Sequence, residues 1–134
     1  MTEIKRLRKY ETRMFYPQAK FNGQYSMIVK AGNFVFLRGQ TGFDLEGDFH
    51  GIGDPEIQAD NACKCIKQLL EEAGASVTNI CKLNTYITDA RHREAVYAVI
   101  ARHFKDVYPC GTGVVVQALA TPEMLVEIDA TAVV

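Results

Sequence analysis

The chain has 134 residues, with 15 basic and 16 acidic side chains and a formal net charge of −1. This length suits one compact domain, residues 1–134, and the 48% hydrophobic content is enough to form a core. The balanced charge argues against a nucleic-acid-binding face, and no apolar run approaches the roughly 20 residues of a membrane span. We therefore expect a cytoplasmic protein with neither membrane nor nucleic-acid partners.

The first part of the chain predicts strands. An early strand is expected around Ile4 to Tyr10. The stretch QYSMIVKAGNFVFLRGQ predicts a hairpin, because two apolar runs flank the turn-forming residues Ala31-Gly32-Asn33. The run FVFL is apolar throughout, which favours a strand covered on both faces.

Two segments have the signals of amphipathic helices. The first begins at Asp54, which can cap a helix, with Pro55 in the first turn, and it ends at Gly74. The second follows Thr88 and Asp89, either of which can cap, and it ends before Pro109. Apolar residues recur at helical spacing in both: Ala62, Ile66, Leu69, Leu70 and Ala73 in the first, and Val96, Val99, Ile100 and Phe104 in the second.

The remaining apolar runs predict three more strands: ICKLNTYIT between the helices, then GVVVQAL and MLVEIDATAVV. The order strand, hairpin, helix, strand, helix, strand, strand predicts an α+β domain. About six strands form a mixed sheet with both helices on one face. The other face of the sheet then needs a cover, and a second copy of the chain is the natural one. We therefore expect a homo-oligomer with sites where subunits meet.

The last strand carries the best candidate for a catalytic group. Glu127 alternates with Leu125 and Asp129, while the opposite face of the strand is apolar. Because the apolar face must pack on the core, the acids face a cleft or a subunit boundary. There Glu127 can orient water as a general base. The alternative is an ordinary surface acid, and for Asp129 solvation or an ion pair is the favoured interpretation.

Several segments resemble the RidA/YjgF family of reactive-intermediate deaminases. Gln24 to Gly32 is similar to the family's PYSQAVxAG segment, residues 36–40 to (V/I)SGQ, and residues 72–76 to EAAGAS. Residues 83–89 resemble the strand that ends in TD, and residues 125–130 resemble LVEIEA. The resemblance covers residues 24–134. It implies a chorismate-mutase-like α+β fold and a homotrimer with interfacial clefts. It also implies hydrolysis of reactive imines or enamines without a metal or an organic cofactor.

The resemblance also assigns roles to individual positions. The family's water-holding acid falls on Glu127, its cleft tyrosine on Tyr25, and the glycine before the glutamine on Gly39. The arginine that grips the substrate carboxylate falls on Gly111, so this chain lacks it. A small polar or thiol residue two positions later becomes Gly113.

Arg38 is the candidate for a replacement cation. The family has a small hydroxyl residue at the position of Arg38, directly before Gly39. We hypothesise that Arg38 reaches into the space left at Gly111. The alternative is a salt bridge to Glu127 or Asp129 that only braces an interface. Thr112 can donate a hydrogen bond from the entrance of its strand, and the two glycines beside it can enlarge the pocket for a bulkier substrate.

Three functions remain open from the sequence. The first is a hydrolytic deaminase, or a related C–N hydrolase, acting on a small carboxylated imine or enamine. The second is a non-catalytic small-molecule binder or regulatory homologue that lost its chemistry with the arginine. The third is an RNA-cleaving or translation-inhibiting protein, which the balanced charge and the lack of an acid–histidine pair disfavour.

Overall fold

The computed structural model describes residues 2–134 as one six-stranded sheet with two α-helices. The predicted order of strands and helices is confirmed, and so is the α+β class. The elements are β1 Ile4–Glu11, β2 Gln24–Ala31, β3 Phe34–Leu37, α1 Pro55–Glu72, β4 Ile80–Ile87, α2 Arg93–His103, β5 Cys110–Val115 and β6 Val126–Val133. No helix in this part of the chain is long and apolar enough to cross a membrane.

The strands follow the order β1-β2-β3-β6-β4-β5, so β6 lies inside the sheet while β1 and β5 form its edges. Only β4 and β5 run parallel, which requires a long crossover that α2 provides. All other neighbours are antiparallel. The last strand of the chain is therefore held on both sides, and its side chains occupy the middle of the sheet.

Helix α1 begins and ends where its sequence signals predict. The Asp54 carboxylate accepts hydrogen bonds from the backbone N–H groups of Glu56 and Ile57 at 3.0 and 3.1 Å. Gly74 has a φ of 80°, a conformation that glycine adopts without strain, and the chain leaves the helix there. The predicted apolar stripe is buried along its whole length.

Helix α2 starts later than its first capping signal. Asp89 caps a single 3₁₀ turn, Ala90–His92, which leads into the helix. The predicted apolar stripe of α2 is buried. The helix ends at His103, before Pro109, and the chain turns through Asp106 and Tyr108 with φ values of 65° and 55°.

The helices cover one face of the sheet and leave the other open. Alternate side chains of β6 are buried, beginning with Val126 and Ile128. The prediction that FVFL is covered on both faces is wrong for the single chain. Val35 and Leu37 are buried, but Phe34 and Phe36 are 50% and 44% exposed, because no element of the described chain lies on their side of the sheet.

Replacement of the α1 cap, Asp54→Ala, should lower the free energy of unfolding by about 1 kcal/mol, because two backbone N–H groups lose their acceptor. Urea denaturation at one fixed protein concentration measures the difference. Glu123→Ala, at an exposed position outside any helix, is the matched control and should leave the midpoint unchanged. Equal midpoints for the Asp54 variant and the wild type would contradict this account of the cap.

Candidate active site

The Glu127 carboxylate lies in the middle of the open sheet face. Glu127 is paired with Tyr86 of β4 and alternates with buried neighbours, so its side chain points away from the helices. On its other side the backbones of Gln40 and Ile128 exchange two hydrogen bonds of 2.8 Å, which holds Gly39 close to Glu127. A Cβ atom at position 39 would come within 2.8 Å of the Glu127 carboxyl carbon. Only glycine at position 39 leaves room for this carboxylate.

The electrostatic environment of Glu127 favours retention of its proton. Burial raises the pKa of Glu127, the charge of Arg38 acts in the opposite direction, and Asp129 adds to the rise. Asp129 itself accepts a hydrogen bond from Asn84 at 2.9 Å. Within residues 2–134, neither oxygen of Glu127 accepts a hydrogen bond from another protein group. A half-buried carboxylate with free lone pairs is suited to bind and orient water.

Arg38 follows β3 and is held by aromatic rings. Its guanidinium carbon lies 4.7 Å from the ring centroids of both Tyr10 and Phe15, whose planes meet at 89°. Cation–π attraction therefore holds the charge in the angle between two rings. The guanidinium also approaches Tyr16 and counteracts the rise in the Tyr16 pKa that burial causes.

The described chain contains no ion pair between Arg38 and any carboxylate, so the salt bridge to Glu127 or Asp129 that the sequence left open is not formed. Arg38 lies near enough to Glu127 for its charge to lower the pKa of that residue. Opposite charges thus lie close to each other without direct pairing. This arrangement leaves both groups available to a molecule placed between them.

A cleft of about 380 Å³ opens beside Arg38. Tyr25, the second residue of β2, lines it, and the Tyr25 ring stacks on Tyr10 with centroids 5.9 Å apart. Tyr25 is 56% exposed, so its hydroxyl is accessible to a ligand. Of the sequence-predicted site, Arg38 and Tyr25 therefore line this cleft. Glu127 and Gly39 contact each other outside its lining, and Glu127 lies near enough to Arg38 to feel its charge.

The other three predicted residues lie elsewhere in the single chain. Gly111, Thr112 and Gly113 are on β5, the edge strand separated from β3 by β6 and β4. Thr112 faces the open side of the sheet and accepts a hydrogen bond from Lys82 at 3.0 Å. Within one protomer two strands separate Arg38 from Gly111. The hypothesis that Arg38 reaches into the space at Gly111 therefore stays a prediction for a boundary between subunits.

The two glycines of β5 differ in the space around them. A Cβ at Gly111 would meet only the Leu83 carbonyl oxygen, at 3.7 Å, so this position is open. At Gly113 the same atom would collide with the Tyr97 hydroxyl and lie 2.8 Å from the ring carbon that bears it. Gly113 therefore does not enlarge a pocket. Tyr97 of α2 fills the space, and the Arg93 guanidinium lies 4.6 Å from the Tyr97 ring centroid.

Sequence reasoning missed the aromatic residues around the cation. Tyr10, Phe15, Tyr16 and Phe21 all precede residue 24, where the family resemblance begins. Four aromatic side chains within twelve residues, interleaved with basic ones, were the available signal. They were not linked to Arg38 because the contact depends on how β1 and the following turn fold back beside β2.

The buried cysteines are not candidate nucleophiles. Burial raises the pKa of Cys63 to about 12 and that of Cys65 to about 11, so both remain thiols at neutral pH. Cys110 is exposed at the start of β5, and no histidine pairs with it in the described part of the chain.

The family model described as endoribonuclease L-PSP matches residues 17–134, nearly the whole chain. The chain belongs to this family, the RutC/RidA/YjgF proteins. It is 34% identical over 110 residues to a RutC family protein of Pyrococcus abyssi, covering 82% of this chain and 86% of that one.

Two further relatives of this RidA/YjgF protein have names that state a reaction. The chain is 29% identical over 97 residues to a 2-iminobutanoate/2-iminopropanoate deaminase of Dermatophagoides farinae, covering 72% of this chain and 76% of that one. It is 29% identical over 108 residues to the 3-aminoacrylate deaminase RutC of Acinetobacter baylyi, covering 81% and 85%. Imine and enamine deamination is thus an activity of the family.

Solved structures of the RidA/YjgF family share the fold. A Rid family protein of unknown function from Yersinia pestis superposes with a TM-score of 0.81 at 28% identity, covering 98% of this chain and 100% of that one. A YjgF/YER057c/UK114 family member from Mycobacterium tuberculosis gives 0.78 at 27% identity, with 98% and 100% coverage. The chorismate-mutase-like fold predicted from the resemblance is confirmed.

Removal of the cation, Arg38→Met, should raise the pKa of Glu127 further, because burial and Asp129 then act without an opposing charge. Carbon-detected NMR titration of labelled glutamate carboxyls gives this pKa directly. Arg102→Met, which removes a cation from the helix layer, is the control and should leave the Glu127 titration in place. A Glu127 pKa in the Arg38 variant that is lower than that of the wild type, or equal to it, would contradict the proximity of the two charges.

Proposed function

We propose that this RidA/YjgF protein is a hydrolytic deaminase that converts a small carboxylated imine or enamine into a keto acid and ammonia. One observation carries the proposal. The Glu127 carboxylate, with its pKa raised by burial and no protein donor on its oxygens, lies beside an arginine that forms no ion pair. A water-holding base next to an uncommitted cation suits an anionic substrate that reacts with water.

The chemistry follows from what a carboxylate in this position does. Glu127 accepts a proton from a bound water as the water oxygen forms a bond to the imine carbon. Glu127 delivers that proton to the nitrogen, which gives a neutral carbinolamine. It then takes the proton of the new hydroxyl group and passes it to the same nitrogen, the C–N bond breaks, and ammonia leaves as the carbonyl forms. An enamine first becomes the imine by gaining a proton at carbon and losing one from nitrogen. The raised pKa of Glu127 makes its carboxylate a stronger base for the proton that it accepts and returns.

Arg38 binds the substrate carboxylate in this proposal. A guanidinium presents paired N–H donors that match the two oxygens of a carboxylate. Cation–π contacts with Tyr10 and Phe15 hold the charge without consuming it in a salt bridge. Tyr25 supplies a hydroxyl at the cleft that can donate to the substrate or to the departing nitrogen.

The proposed assembly is a homotrimer in the cytoplasm. The open sheet face carries exposed apolar side chains, including Ile4, Phe34, Phe36 and Val114, which a second subunit would cover. Two strands separate β5 from β3 within residues 2–134, so Gly111, Thr112 and Gly113 would approach the cleft beside Arg38 from a neighbouring subunit. The four free cysteines of the described chain suit a reducing compartment.

A non-catalytic binder is the second candidate. The observation that favours it concerns the two glycines of β5. The Tyr97 hydroxyl occupies the space that a side chain at position 113 would take, and position 111 carries no side chain. Such a protein would bind a carboxylated ligand at Arg38 without hydrolysing it. Turnover therefore separates the two candidates.

Glu127→Gln should reduce the rate of deamination by about 100-fold or more, the usual contribution of a general base. Imines generated in place by an amino-acid oxidase serve as substrates, and release of keto acid is followed with and without protein. The matched control is Glu123→Gln, the same change on an exposed loop residue, which should retain full activity. Hydrolysis that persists in the Glu127 variant would remove the proposed base, and no acceleration by the wild type with any imine would favour the binder.

Phe36→Glu should convert the trimer into monomers, because it places a charge on the open, apolar sheet face. Light scattering coupled to size-exclusion chromatography gives the mass of each species. Ile57→Glu changes a residue of similar exposure, 50% against 44% for Phe36, that lies on α1 in the helix layer, and this variant should remain trimeric. A monomeric wild type, or a Phe36 variant with unchanged mass, would contradict the proposed assembly.

A further inference from the structure

The cleft beside Arg38 is built mainly of aromatic rings. Tyr10, Tyr16, Phe21 and Tyr25 line it, with the small side chains of Ala19 and Ala120 between them. Phe21 is 65% exposed and Tyr25 is 56% exposed, so much of their ring surface has no cover from residues 2–134. A concave surface of this composition favours a flat apolar group.

Arg38 is the only charged residue among the described residues that line this cleft. Tyr10 contributes to two features at once, because its ring lies under the Arg38 guanidinium and also stacks on Tyr25. The cation and the aromatic wall are therefore adjacent parts of one surface. This combination is complementary to a ligand that joins a carboxylate to an aromatic ring.

The volume of the cleft also bears on the size of the ligand. The cleft has a volume of about 380 Å³. A water molecule occupies about 30 Å³ in the liquid, so the cleft has room for about a dozen waters, which is more than a three-carbon acid fills. With its carboxylate on Arg38, a small imine would leave most of the aromatic wall facing solvent. A substrate with a ring on its third carbon would cover that wall.

We propose that the substrate is a 2-imino acid with an aromatic side chain, and that Tyr10, Phe21 and Tyr25 form the subsite for its ring. The proposal rests on the proposed deaminase function and specifies its substrate class. Arg38 fixes the carboxylate, the ring enters the cleft, and the imine carbon is left on the side of Arg38 where Glu127 lies. The ring then determines specificity, while Glu127 acts on a carbon common to all 2-imino acids.

Stable acids test the subsite without any turnover. Binding of 3-phenylpropanoate and of propanoate is measured by calorimetry on the full-length protein. The phenyl acid should bind at least about tenfold more tightly, because its ring leaves water for an apolar wall. Arg38→Met should weaken binding of both acids. Equal affinity of the wild type for the two acids would overturn the proposal.

A pair of matched variants locates the ring. Ala120→Trp fills the cleft and should abolish the preference for the phenyl acid, while propanoate binding is retained. Ala118→Trp makes the same change two residues away, at an exposed position outside the cleft, and should keep the preference. If Ala120→Trp keeps the preference, or Ala118→Trp loses it, the ring does not bind where we propose.

Deamination assays separate the failure of this inference from the failure of the function. Imines derived from phenylalanine and from alanine are compared by kcat/KM, and the phenylalanine-derived imine should be favoured by about tenfold or more. Activity with both imines but no such preference would overturn the aromatic subsite and leave the deaminase standing. No acceleration with either imine, together with a retained preference for the phenyl acid, would overturn the deaminase and leave an aromatic-acid binder.

Discussion

The site depends on the close approach of Gly39 to Glu127. Two backbone hydrogen bonds between Gln40 and Ile128 fix the distance between the neighbouring residues, and the missing Cβ at position 39 gives the carboxylate its space. The carboxylate is thereby partly removed from water without gaining a protein donor. Burial of this kind raises the pKa of Glu127 and leaves its oxygens free, which are the two properties that a water-activating base requires.

Aromatic rings hold the Arg38 cation near that carboxylate without an ion pair between the two. An ion pair would hold Arg38 in place but would occupy its donors. The faces of Tyr10 and Phe15 hold the guanidinium through the ring quadrupoles instead, so its N–H groups remain available to a ligand. The same ring of Tyr10 continues into the stack with Tyr25, which links the position of the cation to the shape of the cleft.

The two glycines of β5 stand where the resemblance predicts other residues, and their surroundings differ. Gly111, where the resemblance predicts an arginine, is open, because a Cβ there would meet only the Leu83 carbonyl oxygen within 4 Å. At Gly113 the Tyr97 hydroxyl of α2 occupies the space that a side chain would take, so any larger residue there would displace the end of the Tyr97 side chain. In the proposed function, Arg38 beside β3 binds the substrate carboxylate, and β5 supplies no cation.

Local sequence patterns were sufficient to predict the order of the elements, the buried stripes of both helices, the cap at Asp54 and the outward orientation of Glu127. These features follow from local periodicity and from capping chemistry, which nearby residues fix. The family resemblance also predicted site roles for Glu127, Gly39 and Tyr25. Three other features could not be predicted from any single segment. Phe34 and Phe36 face the uncovered side of the sheet, and Gly111 lies two strands away from β3. Tyr10 and Phe15 hold Arg38. Those outcomes depend on which strands become neighbours and on how distant segments fold together, and no pattern within a single segment encodes either.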